Sequence, residues 1–321
     1  MVNKHRSRLR AVGSAPQMPS EPRAQSPERL LTFAHSPDPD DAYMFYGFET
    51  GAAAIPRHTV RHHLEDIQSL NERAFRGEFE ITAVSAHAYA HLSDRYWVLS
   101  CGASVGRGYG PTLVRKQTNP SPGFQPPSPS GRGMKGEGLQ NVRIAVPGKW
   151  TTAALVLDLW LAEQKIQIKK TILPFDKILS AVQSGEVDAG LIIHEGQLTY
   201  EQEGFEKIWN AGEWWGKRTG LPLPLGLDVV RKDLGLPLAR QISTAFRASI
   251  EYANKNHDQA VDYALQYGRG LDTELGKRFI GMYVNEDTLS QGQEVQKGLR
   301  ELYDQAFRHK LIPQSPDLTF I

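Results

Sequence analysis

A single cysteine, Cys101, in 321 residues leaves no partner for an intramolecular disulfide and no thiolate set for zinc or an iron–sulfur cluster. Net charge is nearly absent as well. The 37 Lys and Arg residues stand against 36 Asp and Glu, so no bulk field draws the chain to nucleic acid or to an acidic membrane. No apolar run approaches the ~20 residues that a membrane-spanning helix needs. The sequence holds no GxxxxGK[ST] phosphate loop and no HExxH, and the glycine-dense Gly102–Gly110 lacks the helix that must follow a dinucleotide loop. It reads instead as a hinge or cleft-lining loop. Residues 1–29 offer no apolar stretch for a signal-peptide core. These absences point to a reducing compartment, the cytoplasm, and to no nucleic-acid or membrane partner. The oligomeric state stays open.

What is present is ordinary globular composition, 40% hydrophobic and 23% charged, at a length that suggests two lobes. Two segments stand apart. Residues 1–29 are Arg- and Pro-bearing and read as a disordered tail. Gln117–Gly138 packs five prolines into 22 residues and reads as a disordered surface insertion, which loop-closure entropy tolerates at small extra cost. Elsewhere strand patterns (Leu30–Ala34, Val60–Leu64, Phe79–Val84, Tyr96–Ser100, Val142–Val146, Val187–Ile193) alternate with helical ones (Asp40–Glu49, Ile67–Phe75, Thr151–Gln164, Phe175–Gln183). From Leu238 to Arg308 the pattern is mainly helical. Such alternation predicts an α/β protein with parallel sheets.

An internal echo sharpens this. Leu70, Ala74, Gly77, Glu78, Phe79, Glu80 and Val84 recur, 108 residues later, as Ile178, Val182, Gly185, Glu186, Val187, Asp188 and Ile192. Each copy is a helix, a Gly-Glu stop and a strand, so the chain is expected to build two similar lobes. One comprises residues 30–113 plus 224–321, the other 114–223. Ligands of open α/β sheets sit beyond the carboxyl ends of strands. Those ends are Ser85–Ala86 in one lobe and Ile193–His194 in the other, and together they define a cleft for a small-molecule substrate.

Several residues at that cleft carry chemistry. His194 closes the strand pattern GLIIH, and an imidazole there is placed to exchange a proton near neutral pH. Its ring is expected to be surface-facing and therefore cheap to remove. Val146–Thr152 leads from a strand into a helix whose first N–H groups, with the Thr151 and Thr152 hydroxyls, form an anion site, although one threonine could serve only as the cap. Asp38, Asp40 and Asp41 invite a metal reading, but the EF-hand pattern fails, and acidic residues at a helix start are explained by the macrodipole. No metal is expected. His87 and His91 read as surface or lobe-packing residues. The segment 220–226 reads as the return crossing between lobes, packed by Trp214 and Trp215.

The motifs HSPDPDDAYMF (35–45), VSAHAYA (84–90), GRGYGP (106–111), VPGKWTTA (146–153), GEVDAGLIIHEGQ (185–197), TGLPLPLG (219–226) and YVN (283–285) occur in this order. Together they resemble the 1,4-dihydroxy-6-naphthoate synthase family of the futalosine route to menaquinone, from residue 30 to about 320. The resemblance implies an α/β, two-lobed periplasmic-binding-protein-like type II fold with a central cleft. It implies a lyase without a cofactor, which cleaves cyclic dehypoxanthinyl futalosine to 1,4-dihydroxy-6-naphthoate and dihydroxyacetone. By the same resemblance His194 is the proton acceptor, and Ala83, Val84, Ser85, Thr151, Thr152 and Ala153 contact substrate. The chain departs from some members in its first loop, at Asp38, Asp40 and Ala42, and from many at Ala83, where they carry lysine. Two rivals are a solute-binding protein that only closes on its ligand, and chorismate dehydratase of the same pathway.

Overall fold

A computed structural model describes residues 29–117, 139–267 and 272–321. Two sheets organise them. The first runs in the order His58–Leu64, Arg29–His35, Ile81–Ser85, Leu223–Arg231, Tyr96–Val98, with Ser104–Gly106 also paired to Leu223–Arg231. The second runs Lys169–Ile172, Arg143–Val146, Ala189–Ile192, Thr112–Lys116, Phe205–Asn210. In each sheet the first three strands are parallel and the next two are joined antiparallel. The 108-residue echo therefore has a topological counterpart. Ile81–Ser85 and Ala189–Ile192 occupy the same third place, each with a parallel neighbour on one side and an antiparallel one on the other. The helix stops also match, since Gly77 and Gly185 both cap helices in the left-handed region, at φ 70° and 79°. A residue with a Cβ pays a steric penalty there that glycine avoids.

Two expectations need correction. The sheets are mixed rather than parallel, because hydrophobic periodicity reports which face of a strand is buried and not which way its neighbour runs. Residues 220–226 are not wholly a crossing, since a nine-residue strand begins at Leu223. Pro224 is accommodated because its ladder with Ser104–Gly106 breaks between Pro224 and Gly226, where the missing N–H is not needed. Smaller differences follow. Thr112 and Leu113, assigned to the first lobe, pair within the second sheet. The 175–183 helix is a single 3₁₀ turn, Phe175–Lys177, followed by a helix at Ile178–Ser184. Arg29 opens the first strand, and the Gln117 N–H donates to Gly204 O. The remainder of the tail and insertion, 1–28 and 118–138, lies outside the described residues.

Between the sheets the chain passes at 107–111 and returns at 211–222. The two passages touch, with the Ala211 N–H donating to Pro111 O at 2.9 Å. Gly212 is required there, since an added Cβ would fall on the Tyr109 carbonyl. Trp215 is fully buried and donates its indole N–H to Pro222 O at 3.1 Å, so it packs the return passage as expected. No helix among the described residues is long and apolar enough to cross a membrane.

Candidate functional site

A cavity lies between the two sheets, at the carboxyl ends of their parallel strands. The first sheet contributes the loop after Arg29–His35. Asp38 stands at the N-cap position of the helix Pro39–Glu49, yet its side chain makes no capping bond. The carboxylate instead accepts the Ser36 hydroxyl and lies 2.8 Å from His194 Nδ1. A strong local role is forgone for a contact across the cleft.

His194 comes from the other sheet. The strand Ala189–Ile192 ends two residues earlier, and His194 takes φ 62°, a left-handed conformation uncommon for a residue with a Cβ. The turn aims the imidazole back over the cavity, where the Phe175 ring meets it edge-on at 4.3 Å. Its side chain is only 14% exposed, so the expectation of a surface-facing ring is corrected. A carboxylate against Nδ1 favours the tautomer with the proton on that atom, which makes Nε2 the basic nitrogen. A second bridge between the sheets runs beside it, the Gln197 amide 2.9 Å from the Tyr283 hydroxyl.

The other expected contacts line the same cavity, namely Ala83, Val84, Ser85, Thr151, Thr152 and Ala153. Ser85 is held by the fully buried Asn71, whose amide accepts the Ser85 N–H at 2.8 Å and donates to its Oγ at 3.0 Å. The Ser85 hydroxyl proton is left to donate into the cavity. Both threonine hydroxyls are engaged by the protein. Thr151 Oγ1 caps the helix through the Ala154 N–H and donates to Gly148 O. Thr152 Oγ1 accepts the His87 N–H and donates to Leu225 O. The hydroxyls of the expected anion site are thus occupied, which leaves at this helix start the N–H groups of Thr152 and Ala153, which the helix itself cannot satisfy. Lys149 stacks its ammonium over Trp150 at 4.5 Å, and neither residue lines the cavity.

Acidity dominates the rest of the wall. Asp38, Asp40, Asp41 and Asp228 line it, and none of its described residues is Lys or Arg. Burial, opposed by the Ser36 hydroxyl and reinforced by Asp38, pushes the Asp41 carboxyl up to about 6. Burial and then the Asp41 and Asp38 charges raise Asp40 well above the carboxylate range. Asp40 and Asp41 do stand in the first turn of the helix Pro39–Glu49, where backbone hydrogen bonds lower their carboxyls, but burial outweighs that effect. Ser36 Oγ lies 2.7 Å from both Asp38 and Asp41, and its single proton serves one at a time. Among the described residues no group of three His, Cys, Asp or Glu is placed to hold a metal ion.

Sequence reasoning missed Asn71, Asp228, Tyr283 and Phe175. Asp228 carried a readable signal, a lone acid in the apolar run GLDVV. Asn71 carried a weaker one, an amide on the buried face of an amphipathic helix. His87 and His91 are lobe-packing rather than surface residues, His87 being buried with Nδ1 3.3 Å from Thr151 O and His91 meeting the Trp150 ring at 5.0 Å. Gly102 and Ser104 line the cavity, and Trp214 does not.

The menaquinone biosynthesis family matches residues 31–308. A 1,4-dihydroxy-6-naphthoate synthase of Thermus thermophilus is 36% identical over 293 residues, 91% of this chain and 99% of the relative. One from Streptomyces coelicolor is 32% identical over 289 residues, 88% of this chain and 95% of its own. A crystal structure of an Archaeoglobus fulgidus protein matches at TM-score 0.79 and 43% identity, covering 88% of this chain and 98% of that one. The alkanesulfonate-binding protein of Xanthomonas axonopodis pv. citri, solved with MOPS bound, matches at TM-score 0.65 and 15% identity over 91% and 97% of the two chains. That last likeness is one of fold, and the two-sheet architecture is periplasmic-binding-protein-like, of type II, as expected.

Proposed function

The chain belongs to the menaquinone biosynthesis family, and from that premise we propose that it is a carbon–carbon lyase converting cyclic dehypoxanthinyl futalosine to 1,4-dihydroxy-6-naphthoate and dihydroxyacetone. The observation that carries the reading is the Asp38–His194 pair, 2.8 Å apart at the wall of the cavity between the sheets. A carboxylate-oriented imidazole is a general base whose charged form is stabilised as it takes the proton. In this reading Nε2 of His194 removes a proton from the sugar-derived carbon frame, and carbon–carbon cleavage and aromatisation follow. The Ser85 hydroxyl and the N–H groups of Thr152 and Ala153 receive the substrate's polar or carboxylate groups. No cofactor enters this scheme, and we place the activity in the cytoplasm.

A solute-binding protein has no need of an oriented base, and this distinction sets the test. Purified protein is incubated with cyclic dehypoxanthinyl futalosine, and product is followed by its absorbance spectrum and chromatography. Formation of 1,4-dihydroxy-6-naphthoate is expected, and binding without product overturns the reading. His194→Gln keeps a hydrogen-bonding group but accepts no proton near neutrality. It is expected to lower kcat by ~10²–10⁴-fold with a much smaller change in KM. Near-wild-type turnover of this variant under conditions where chemistry limits the rate would remove His194 as the base.

A further inference from the structure

Asp228 lies in the strand Leu223–Arg231, directly across from Ala83 in the antiparallel register. Opposed residues of such a pair project to the same face, so the carboxyl stands beside a methyl group at the cavity wall. The residue is 2% exposed, and its Oδ1 is buried with no hydrogen-bond partner among the described residues. Room for the group is made by Gly102, at φ 86°, where an added Cβ would overlap Asp228 Oδ2. A buried carboxylate needs donors or a cation, and among the described residues neither a side-chain hydrogen bond nor an ion pair reaches Asp228 Oδ1. The groups that face it are Asp40 and Asp41 from the helix Pro39–Glu49 and Cys101 beside Gly102. Asp38, His194 and Tyr283 share the cavity.

We propose that Asp228 enters the cleft as a neutral carboxylic acid and donates a hydrogen bond to the substrate oxygen on which negative charge develops once His194 has taken its proton. The inference rests on the lyase reading and deepens it by assigning a second catalytic group. Two chemically opposite groups then flank one cavity, a base paired to a carboxylate and an acid kept protonated by burial and by like charges. Environments that push titratable groups apart in this way are how acid and base roles are separated at one pH. Burial and the Asp41 and Asp40 charges act in the same direction, raising the Asp228 carboxyl well above its ordinary range.

The test compares wild type, Asp228→Asn and Asp228→Ala. An asparagine amide still donates, and alanine does not. Asp228→Asn is expected to keep kcat within about tenfold of wild type, whereas Asp228→Ala loses ~10²–10³-fold, the usual effect of deleting one donor to a developing oxyanion. The wild-type kcat should also fall on the alkaline side as Asp228 ionises, and Asp228→Asn should lack that limb. Infrared difference spectra of the free protein at neutral pH should show the carbonyl stretch of a protonated carboxyl that Asp228→Asn removes. Equal activity of Asp228→Ala and wild type, an unchanged alkaline limb, or absence of that band overturns the inference while leaving the lyase reading intact. A wild type that makes no product overturns the lyase reading and the catalytic role together, and the infrared band then reports the protonation state alone. If Asp228→Ala does not fold, the Asp228→Asn pH profile and the band decide.

Discussion

Replacing Asp38 with Asn should separate catalysis from stability in opposite directions. The Asp38 side chain is 3% exposed and lies 2.8 Å from His194 Nδ1, so solvent screens the contact little. An asparagine oxygen in the same place still accepts the Nδ1–H and preserves the tautomer. It offers no negative charge to the imidazolium that the proposed base role forms at His194. A hydrogen bond to a charged group contributes ~1.5–3 kcal/mol. The neutral bond that the variant keeps is worth ~0.5–1.5 kcal/mol, so the difference of about 1–1.5 kcal/mol in the transition state amounts to a fall in kcat of about 5- to 13-fold. Stability should move the other way or not at all. Asp38 raises the carboxyls of Asp40 and Asp41 by its charge, and the neutral amide removes that repulsion. Steady-state kinetics under conditions where chemistry is rate-limiting, alongside thermal unfolding of the same preparations, read both effects. A variant with wild-type kcat refutes the charge-stabilising role of Asp38. One with low kcat and a collapsed Tm shows instead that Asp38 is a structural group whose loss disorders the cleft.

Two further predictions follow from close packing and burial. Gly148→Ala places its methyl on the Gln68 side chain, whose Oε1 accepts the Trp150 N–H, and should cost ~1–3 kcal/mol in chemical denaturation. In a Gln68→Ala background the same change should cost distinctly less, and equal costs in both backgrounds would refute the clash. Burial and then the neighbouring His91 and lysine charges, against a Thr151 carbonyl bond, hold the His87 imidazole down at about 4 from its ordinary 6.5. Its folded form binds fewer protons than the unfolded chain between those values, so stability falls as pH falls through that window. From pH 7 to 5 the His87 contribution amounts to about 2 kcal/mol, and His87→Phe should lose that much less stability than wild type over the same change. Parallel acid limbs in urea denaturation would refute it.

Much of the fold was legible because the signals are local. The helix ending at Gly77 and its echo at Gly185 are readable since a left-handed cap selects glycine wherever it occurs. His194 was legible for a similar reason, because a strand's carboxyl end in an open α/β sheet faces the cleft whatever the rest of the chain does. Sequence order alone thus determined the helix–strand units, the duplicated plan and the place of His194 at the cavity. The antiparallel strands were not legible. Direction belongs to a pair of strands, and Leu223–Arg231 disguised itself further with Pro224 at a break in its ladder. Nor could the sequence determine that Asp38 gives up a capping bond for His194, or that Asp228 stands buried beside Ala83. Those pairings join residues far apart in the chain, and the protonation each favours follows from burial and neighbouring charge. Both are supplied only when the two sheets close on one cavity.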